Sequence, residues 1–293
     1  MNNYIELVDK KLDEYLKIDY PEHIYKSMKY TVTLPGKRLR PVMCLEACKI
    51  MGGQIEDALP SACAIEMLHA QSLIHDDLPC MDNDDFRRGK PSNHKVYGEA
   101  IAVLAGDALI SYAPQIIIEN STNLTSDTVL KVIYEYVKAA GVYQLIGGQV
   151  ADIQSETATW SNGVFEGKTK EETLHYIHTN KTAVLFKLAL KVGAIIANAD
   201  NEQVMEMEKF GQKFGCAFQI YDDIMDEIST FEELGKTIGK DKEAGKLTYV
   251  TLYGLENAKK KVHELIYESH SIIDKYHSEI FDSILSKIES KIN

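Results

Sequence analysis

A chain of 293 residues with 45% hydrophobic composition carries enough apolar material for a substantial core, as one large domain or two ordinary ones. Its 32 basic and 44 acidic residues leave a formal net charge of −12, which argues against nucleic acid or an anionic membrane surface as a partner. An anionic substrate must therefore be drawn in by local cations or by metal.

The first segment, "MNNYIELVDKKLDEYL", alternates apolar and charged residues at helical spacing and lacks the basic start and unbroken apolar run of a secretory signal. A cytoplasmic location is the expectation. Five cysteines, an odd number, fit a reducing compartment better than a disulfide framework. Cys44 and Cys48 stand one helical turn apart with no histidine or second cysteine pair nearby, so they read as core and not as a zinc site.

Apolar residues recur at three- and four-residue spacing in nearly every segment, while alternating strand-like runs are scarce. The pattern predicts an all-α chain with helices over 3–17, 21–33, 38–52, 57–79, 94–119, 125–156, 170–198, 202–228 and 247–290, the last broken in its middle. Pro21, Pro35, Pro41, Pro60, Pro79, Pro91 and Pro114 all fall in the first two-fifths, where they mark helix starts, turns or kinks. Lys187 and Lys191 interrupt the run "AVLFKLALKVGAIIANA", which falls short of a membrane span, so no stable membrane insertion is expected. With no linker, constant repeat or low-complexity stretch, one domain over 1–293 is the simpler organisation.

Two acidic clusters interrupt helices that read as buried. In "FGQKFGCAFQIYDDIMDE" an apolar helix carries Asp222, Asp223 and Asp226, and the i, i+4 spacing stacks Asp222 and Asp226 on one face. Like charges one turn apart destabilise such a helix unless a cation lies between them, and oxygen-only ligands suit Mg²⁺. The earlier stretch, "HDDLPCMDNDDFRRGK", packs five aspartates, two arginines and a lysine into sixteen residues. Asp76 and Asp82 are separated by a rotation of roughly 240° on an ideal helix, but Pro79 should kink or bulge the helix and return Asp82 to the side of Asp76. One acidic helix end is most often a solvated terminus; two, each with a basic loop, point to a ligand. An EF-hand is excluded, because in "DNDDFRRGKPSN" Phe86, Arg87 and Asn93 occupy the ligand, glycine and final glutamate positions.

Carboxylates for Mg²⁺ beside arginines and lysines imply a polyphosphate, bridged by metal on one side and gripped by cations on the other. "GKRLRP" supplies Lys37 and Arg40, which should share a helix face, and Arg38, which reads as a solubility charge; "FRRGK" adds Arg87 and Arg88. His69 lies seven residues before Asp76, nearly on the same face, which favours a cleft position over a core one. The loop 229–246 carries three glycines and four lysines, a composition that fits a lid over phosphates and an ordinary surface loop equally well.

In this order, "GKRLRP", "SLIHDDLPCMDNDDFRRGKPSNHKVYGE", "AGDAL", "GGQVADI", "KTAVLFKLA", "FQIYDDIMD" and "GKLTYV" resemble the trans-isoprenyl diphosphate synthases, in particular the bacterial farnesyl class, over nearly the whole chain. The resemblance implies an all-α bundle around a deep central cavity, a homodimer, and Mg²⁺-dependent condensation of isopentenyl diphosphate with an allylic diphosphate, with three ions per site. It implies that Asp76, Asp82 and Asp222 bind metal directly, with Asp77, Asp223 and Asp226 in support. Arg87, Lys181, Lys236 and Lys246 would hold the allylic diphosphate, Lys37, Arg40, His69 and Arg88 would hold isopentenyl diphosphate, and Thr182 and Gln219 would lie near the developing cation.

Departures concern product length. Farnesyl enzymes of this class usually place an aromatic residue five positions before the first aspartate, where this chain has Gln71, with Ser72 beside it. A fifteen-carbon product is favoured, with a twenty-carbon product as the alternative. Leu34-Pro35 stands where small residues are common, and the C-terminal "SKIN" lacks the arginine of many relatives. A class I terpene cyclase would usually carry an Asn/Ser/Glu motif in place of "DDIMD", and a non-catalytic partner subunit would be expected to have lost one acidic cluster.

Overall fold

The structure, a computed structural model, describes residues 1–155, 167–228 and 246–292. Among the described residues the fold is all-α, apart from a two-residue ribbon in which β1 (Phe86–Arg87) pairs antiparallel with β2 (Lys90–Pro91). The chain divides into two compact units, Met1–Tyr136 with Val192–Ala199, and Val137–Lys191 with Asp200–Asn293.

The first unit contains α1 (Asn2–Tyr15), α2 (Glu22–Val32), α3 (Leu39–Ile50), α4 (Ile55–Asp76), α5 (Asn93–Tyr97), α6 (Glu99–Asn120) and the start of α7 (Ser126–Ala140). In α4 small and apolar residues occupy nearly every position, which is what a helix surrounded by others requires. It packs against α6, α3, α1 and α2. Met67, Leu68 and Ile74 are fully buried, each contributing about 1.5–3 kcal/mol. Cys44, Cys48 and Cys63 are buried and free. By length and composition α6 could cross a membrane; here it lies against α4, α2 and α5, with Ala102, Ala105, Leu109 and Ala113 buried at helical spacing.

The second unit contains α8 (Leu145–Ser155), α9 (Lys170–Ile177), a π-helical turn (His178–Ala183), most of α10 (Val184–Ile196), α11 (Asn201–Ile228), α12 (Tyr249–Tyr253), α13 (Leu255–Ile273) and α14 (Glu279–Ile292). A capping box in which Thr169 and Glu172 exchange hydrogen bonds starts α9, and Thr248 and Thr251 start α12 in the same way. The long α11 packs on α13, the π-turn, α12 and α14. Its phenylalanines form a buried aromatic chain: Phe186 meets Phe214 edge to face at 4.9 Å, and Phe210 meets Phe281 at 5.1 Å. Such pairs add about 0.5–1.5 kcal/mol each beyond the area they bury.

The helix boundaries differ from the periodic pattern where the backbone must turn. The expected helix 94–119 breaks at Gly98 (φ 86°) and 247–290 breaks at Gly254 (φ 83°), a left-handed conformation that costs glycine little, and again at His277. The stretch 125–156 is two helices interrupted at 141–144, and 170–198 contains the π-turn. Pro60 and Pro114 lie inside helices.

Candidate active site

In the first unit α4 stops at Asp76, three residues before Pro79, so the proline neither kinks nor bulges a continuing helix. The residue before a proline avoids the helical region, and the chain turns back instead. The Asp82 N–H donates to the Asp76 carbonyl at 2.8 Å, and the Asp84 N–H donates to the Asp77 carbonyl at 3.2 Å. Asp76 and Asp82 are therefore backbone neighbours despite their separation in sequence. Asp77 is buried and accepts from Arg87 Nε at 3.0 Å and 3.2 Å and from Nη2. Burial pushes the Asp77 carboxyl up to about 6, against the opposing pull of Arg87. Its oxygens are committed to bracing that arginine.

Lys37 is exposed and precedes α3, which begins at Leu39, so it does not share a helix face with Arg40 in the first turn. Arg38 is not a solubility charge. It is 3% exposed, has a left-handed backbone (φ 46°), and donates to Asp9 at 2.7 Å, Glu66 at 2.6 Å and the Leu34 carbonyl at 3.1 Å. Arg88 donates to the same carbonyl at 3.3 Å and lies 3.6 Å from Glu66. His69 is half-buried on α4; burial, with the charges of Arg40 and Arg88, holds its imidazole well below its ordinary pKa, so it is neutral at pH 7. Gln71 is buried, with Nε2 3.0 Å from His75 Nδ1, and His75 Nε2 lies 3.1 Å from the Val103 carbonyl. The half-buried Ser72 hydroxyl donates to the His69 carbonyl at 2.9 Å.

In the second unit the π-turn carries Lys181 and Thr182. It lies on α8 so closely that a Cβ at Gly148 would come within 2.4 Å of the Lys181 backbone nitrogen. Lys181 Nζ pairs with the buried Asp152 of α8. Burial pushes the Asp152 carboxyl up, but Lys181 and Lys246 together pull it below its ordinary value. Thr182 Oγ1 donates to Gln219, and Gln219 Nε2 donates to Asp223 Oδ1 at 2.9 Å. Asp223 Oδ2 accepts the Tyr249 N–H at 2.9 Å and lies 3.6 Å from the buried His178 Nε2. Asp222 and Asp226 are half-buried on α11, one turn apart. Lys246 is half-buried. Lys236, the loop 229–245 and the final Asn293 lie outside the described residues.

Glu66, Asp152 and His178 escaped the sequence reading. Each had a weak signal: Glu66 is the single carboxylate within "SACAIEMLHAQSLI", Asp152 belongs to "GGQVADI", and His178 stands three residues before Lys181. The donor sets fit magnesium. Asp76, Asp82, Asp222 and Asp226 offer only hard oxygens. Mg²⁺ usually keeps several of its waters and takes only one or two carboxylates from a protein. That suits a cation completed by water and phosphate oxygens.

The sequence profile of the polyprenyl synthetase family matches residues 21–285. A dimethylallyltranstransferase of Fischerella ambigua is 45% identical over 264 residues, which are 90% of this chain and 74% of that protein. A chloroplastic geranylgeranyl pyrophosphate synthase of Arabidopsis thaliana is 45% identical over 271 residues, 92% of this chain and 76% of its own length. Among solved structures, a geranyltranstransferase of Thermotoga maritima superposes with a TM-score of 0.82 at 30% identity, covering 99% of this chain and 98% of that one. An FPP/GFPP synthase of Zymomonas mobilis superposes with a TM-score of 0.83 at 30% identity, covering 100% and 97%. A profile match over most of the chain, close relatives and a shared all-α fold lead to one conclusion: this chain belongs to the polyprenyl synthetase family and is a prenyltransferase.

Proposed function

We propose that the protein condenses isopentenyl diphosphate with allylic diphosphates and stops at the twenty-carbon geranylgeranyl diphosphate. The observation that carries the length reading is Gln71, a buried amide tied to His75, at the position five before Asp76 where an aromatic floor would otherwise stand. The Arabidopsis relative at 45% identity, named a geranylgeranyl pyrophosphate synthase, supports it. A fifteen-carbon stop is the second reading, supported by the geranyltranstransferase of Thermotoga maritima at 30% identity.

In this reading Asp76 and Asp82 in one cluster, and Asp222 with Asp226 in the other, are the magnesium ligands. Bound magnesium would neutralise charge that develops on the departing diphosphate as the allylic C–O bond breaks. Lys181, oriented by Asp152, and Arg87, oriented by Asp77, hold the allylic diphosphate together with Lys246. Charge that grows on the leaving group is stabilised more than charge already present, and this difference is what accelerates the step. In this reading the dipoles of the hydrogen-bonded Thr182 and Gln219 side chains would face the developing positive carbon. Lys37, Arg40, Arg88 and neutral His69 hold isopentenyl diphosphate, whose double bond attacks the cation; a proton then leaves, for which the departed diphosphate can serve as base. Water must be excluded, or the cation is quenched to an alcohol. We further propose a homodimer; α7 exposes Leu130 and Tyr134 one turn apart, and light scattering tests it.

The test incubates the pure protein with Mg²⁺, radiolabelled isopentenyl diphosphate and starters of five, ten or fifteen carbons, and sizes the dephosphorylated products. Geranylgeraniol from all three supports the proposal. Farnesol as the end product replaces it with the second reading, and consumption of an allylic starter with no label incorporated refutes chain elongation.

A further inference from the structure

A carboxylate buried among arginines that are meant to receive a diphosphate works against the task unless it does something for them. Glu66 on α4 is 3% exposed, and its Oε1 is shared by Arg38 at 2.6 Å and Arg88 at 3.6 Å. Arg38 is also buried and is held on its other side by Asp9 at 2.7 Å. Its charge is consumed inside the unit.

Arg88 is placed differently. With Gly89 it forms the two-residue turn between β1 and β2, in which Arg87 pairs with Lys90, and both turn residues have positive φ, 53° and 74°. That turn favours Asn-Gly or Gly-Gly, so an arginine at its first position is locally unfavourable. Such a conflict persists where surrounding structure fixes the residue. Here the guanidinium donates to the Leu34 carbonyl, meets Glu66 and lies against Gly36, where a Cβ would come within 2.7 Å of Nη1. Its side chain remains 21% exposed. A guanidinium has five N–H donors, so one edge can be braced while others stay available to an anion.

We propose that Glu66 is a positioning residue for the isopentenyl diphosphate subsite: it braces Arg88 in the geometry that receives the diphosphate, while Arg38 balances its charge. This rests on the reading of Arg88 as a ligand of that diphosphate. Glu66 acts through the arginine and does not touch substrate. Gln at this position keeps the size and removes the charge-assisted contact.

The experiment measures KM for isopentenyl diphosphate, KM for the allylic substrate, kcat and thermal midpoint in Glu66→Gln, Arg88→Ala and the double variant Arg38→Met with Glu66→Met. The double variant replaces the buried pair by apolar groups of similar volume, an exchange that is often neutral for stability, and so carries the test if Glu66→Gln does not fold. The expected result is a KM for isopentenyl diphosphate raised about tenfold or more in all three, because charge-assisted contacts are worth that much, with the allylic KM within about twofold. If Arg88→Ala raises that KM and neither Glu66 variant does, the brace is overturned while the subsite reading stands. If Arg88→Ala changes nothing, the subsite reading fails and the brace with it. A lowered KM in Glu66→Gln, as simple charge repulsion would give, or an equal rise in both KM values alongside a lower midpoint, also overturns it.

Discussion

Asp223 accepts the backbone N–H of Tyr249, the first residue of α12, at 2.9 Å, while its other oxygen accepts from Gln219. Amide groups in the first turn of a helix have no partner within it, so this carboxylate acts as a cap supplied from α11. Asp222, its neighbour in sequence, is a magnesium ligand in the function proposed above.

The two aspartates should therefore fail in different ways. Asp223→Asn should lower stability by about 1.5–3 kcal/mol, the value of a buried charge-assisted hydrogen bond, and speed hydrogen exchange at the Tyr249 amide. Asp222→Asn should leave both nearly unchanged and abolish turnover. Denaturant titration and exchange mass spectrometry on the pair separate brace from ligand.

Gly148 admits the π-turn. In Gly148→Ala the new methyl would meet the Lys181 nitrogen at 2.4 Å and the Asn180 carbonyl carbon at 2.6 Å, both backbone atoms that cannot swing aside. A cost of about 1–3 kcal/mol follows from overpacking, and displacement of Lys181 should lower kcat. Thermal melts and steady-state kinetics check both.

Much of this was legible in the sequence and some was not, for identifiable reasons. Three- and four-residue periodicity revealed the helices because each has a buried stripe, as with Ala102, Ala105, Leu109 and Ala113 of α6. It could not locate the π-turn, since insertion of a π-type turn leaves composition unchanged. Pro79 signalled that Asp82 would return to Asp76, yet the route is a terminated helix and a reversed loop, which spacing alone does not distinguish from a bulge. Arg38 looked like a surface charge because its partners, Asp9 and Glu66, are 29 and 28 residues away. Long-range ion pairing leaves no local mark.

His69 predicts a pH dependence of stability. Its folded pKa lies well below the unfolded value of about 6.5, so the unfolded chain binds the extra proton between the two, and stability is lost as pH falls below about 6.5. Asp77, raised to about 6, acts with the opposite sign, gaining stability as pH falls through that value. His69→Asn should thus lose less stability than the parent between roughly pH 7 and 5, as measured by thermal midpoints across that range.

Gln71→Tyr places a ring where a buried amide now meets His75. The product distribution should shift towards fifteen carbons, with total turnover changed by less than about tenfold, since only the depth available to the tail is altered. Chromatography of dephosphorylated products decides; an unchanged distribution would refute the floor.

The most direct test of the account is isopentenyl diphosphate incorporation by Asp76→Ala and Asp222→Ala, with folding verified by circular dichroism. Both should retain the helical spectrum and lose about a thousandfold or more in rate, because the charge developing on the leaving diphosphate would no longer be neutralised. Near-native incorporation by either folded variant would contradict the assignment of these carboxylates to magnesium, and with it the proposed chemistry.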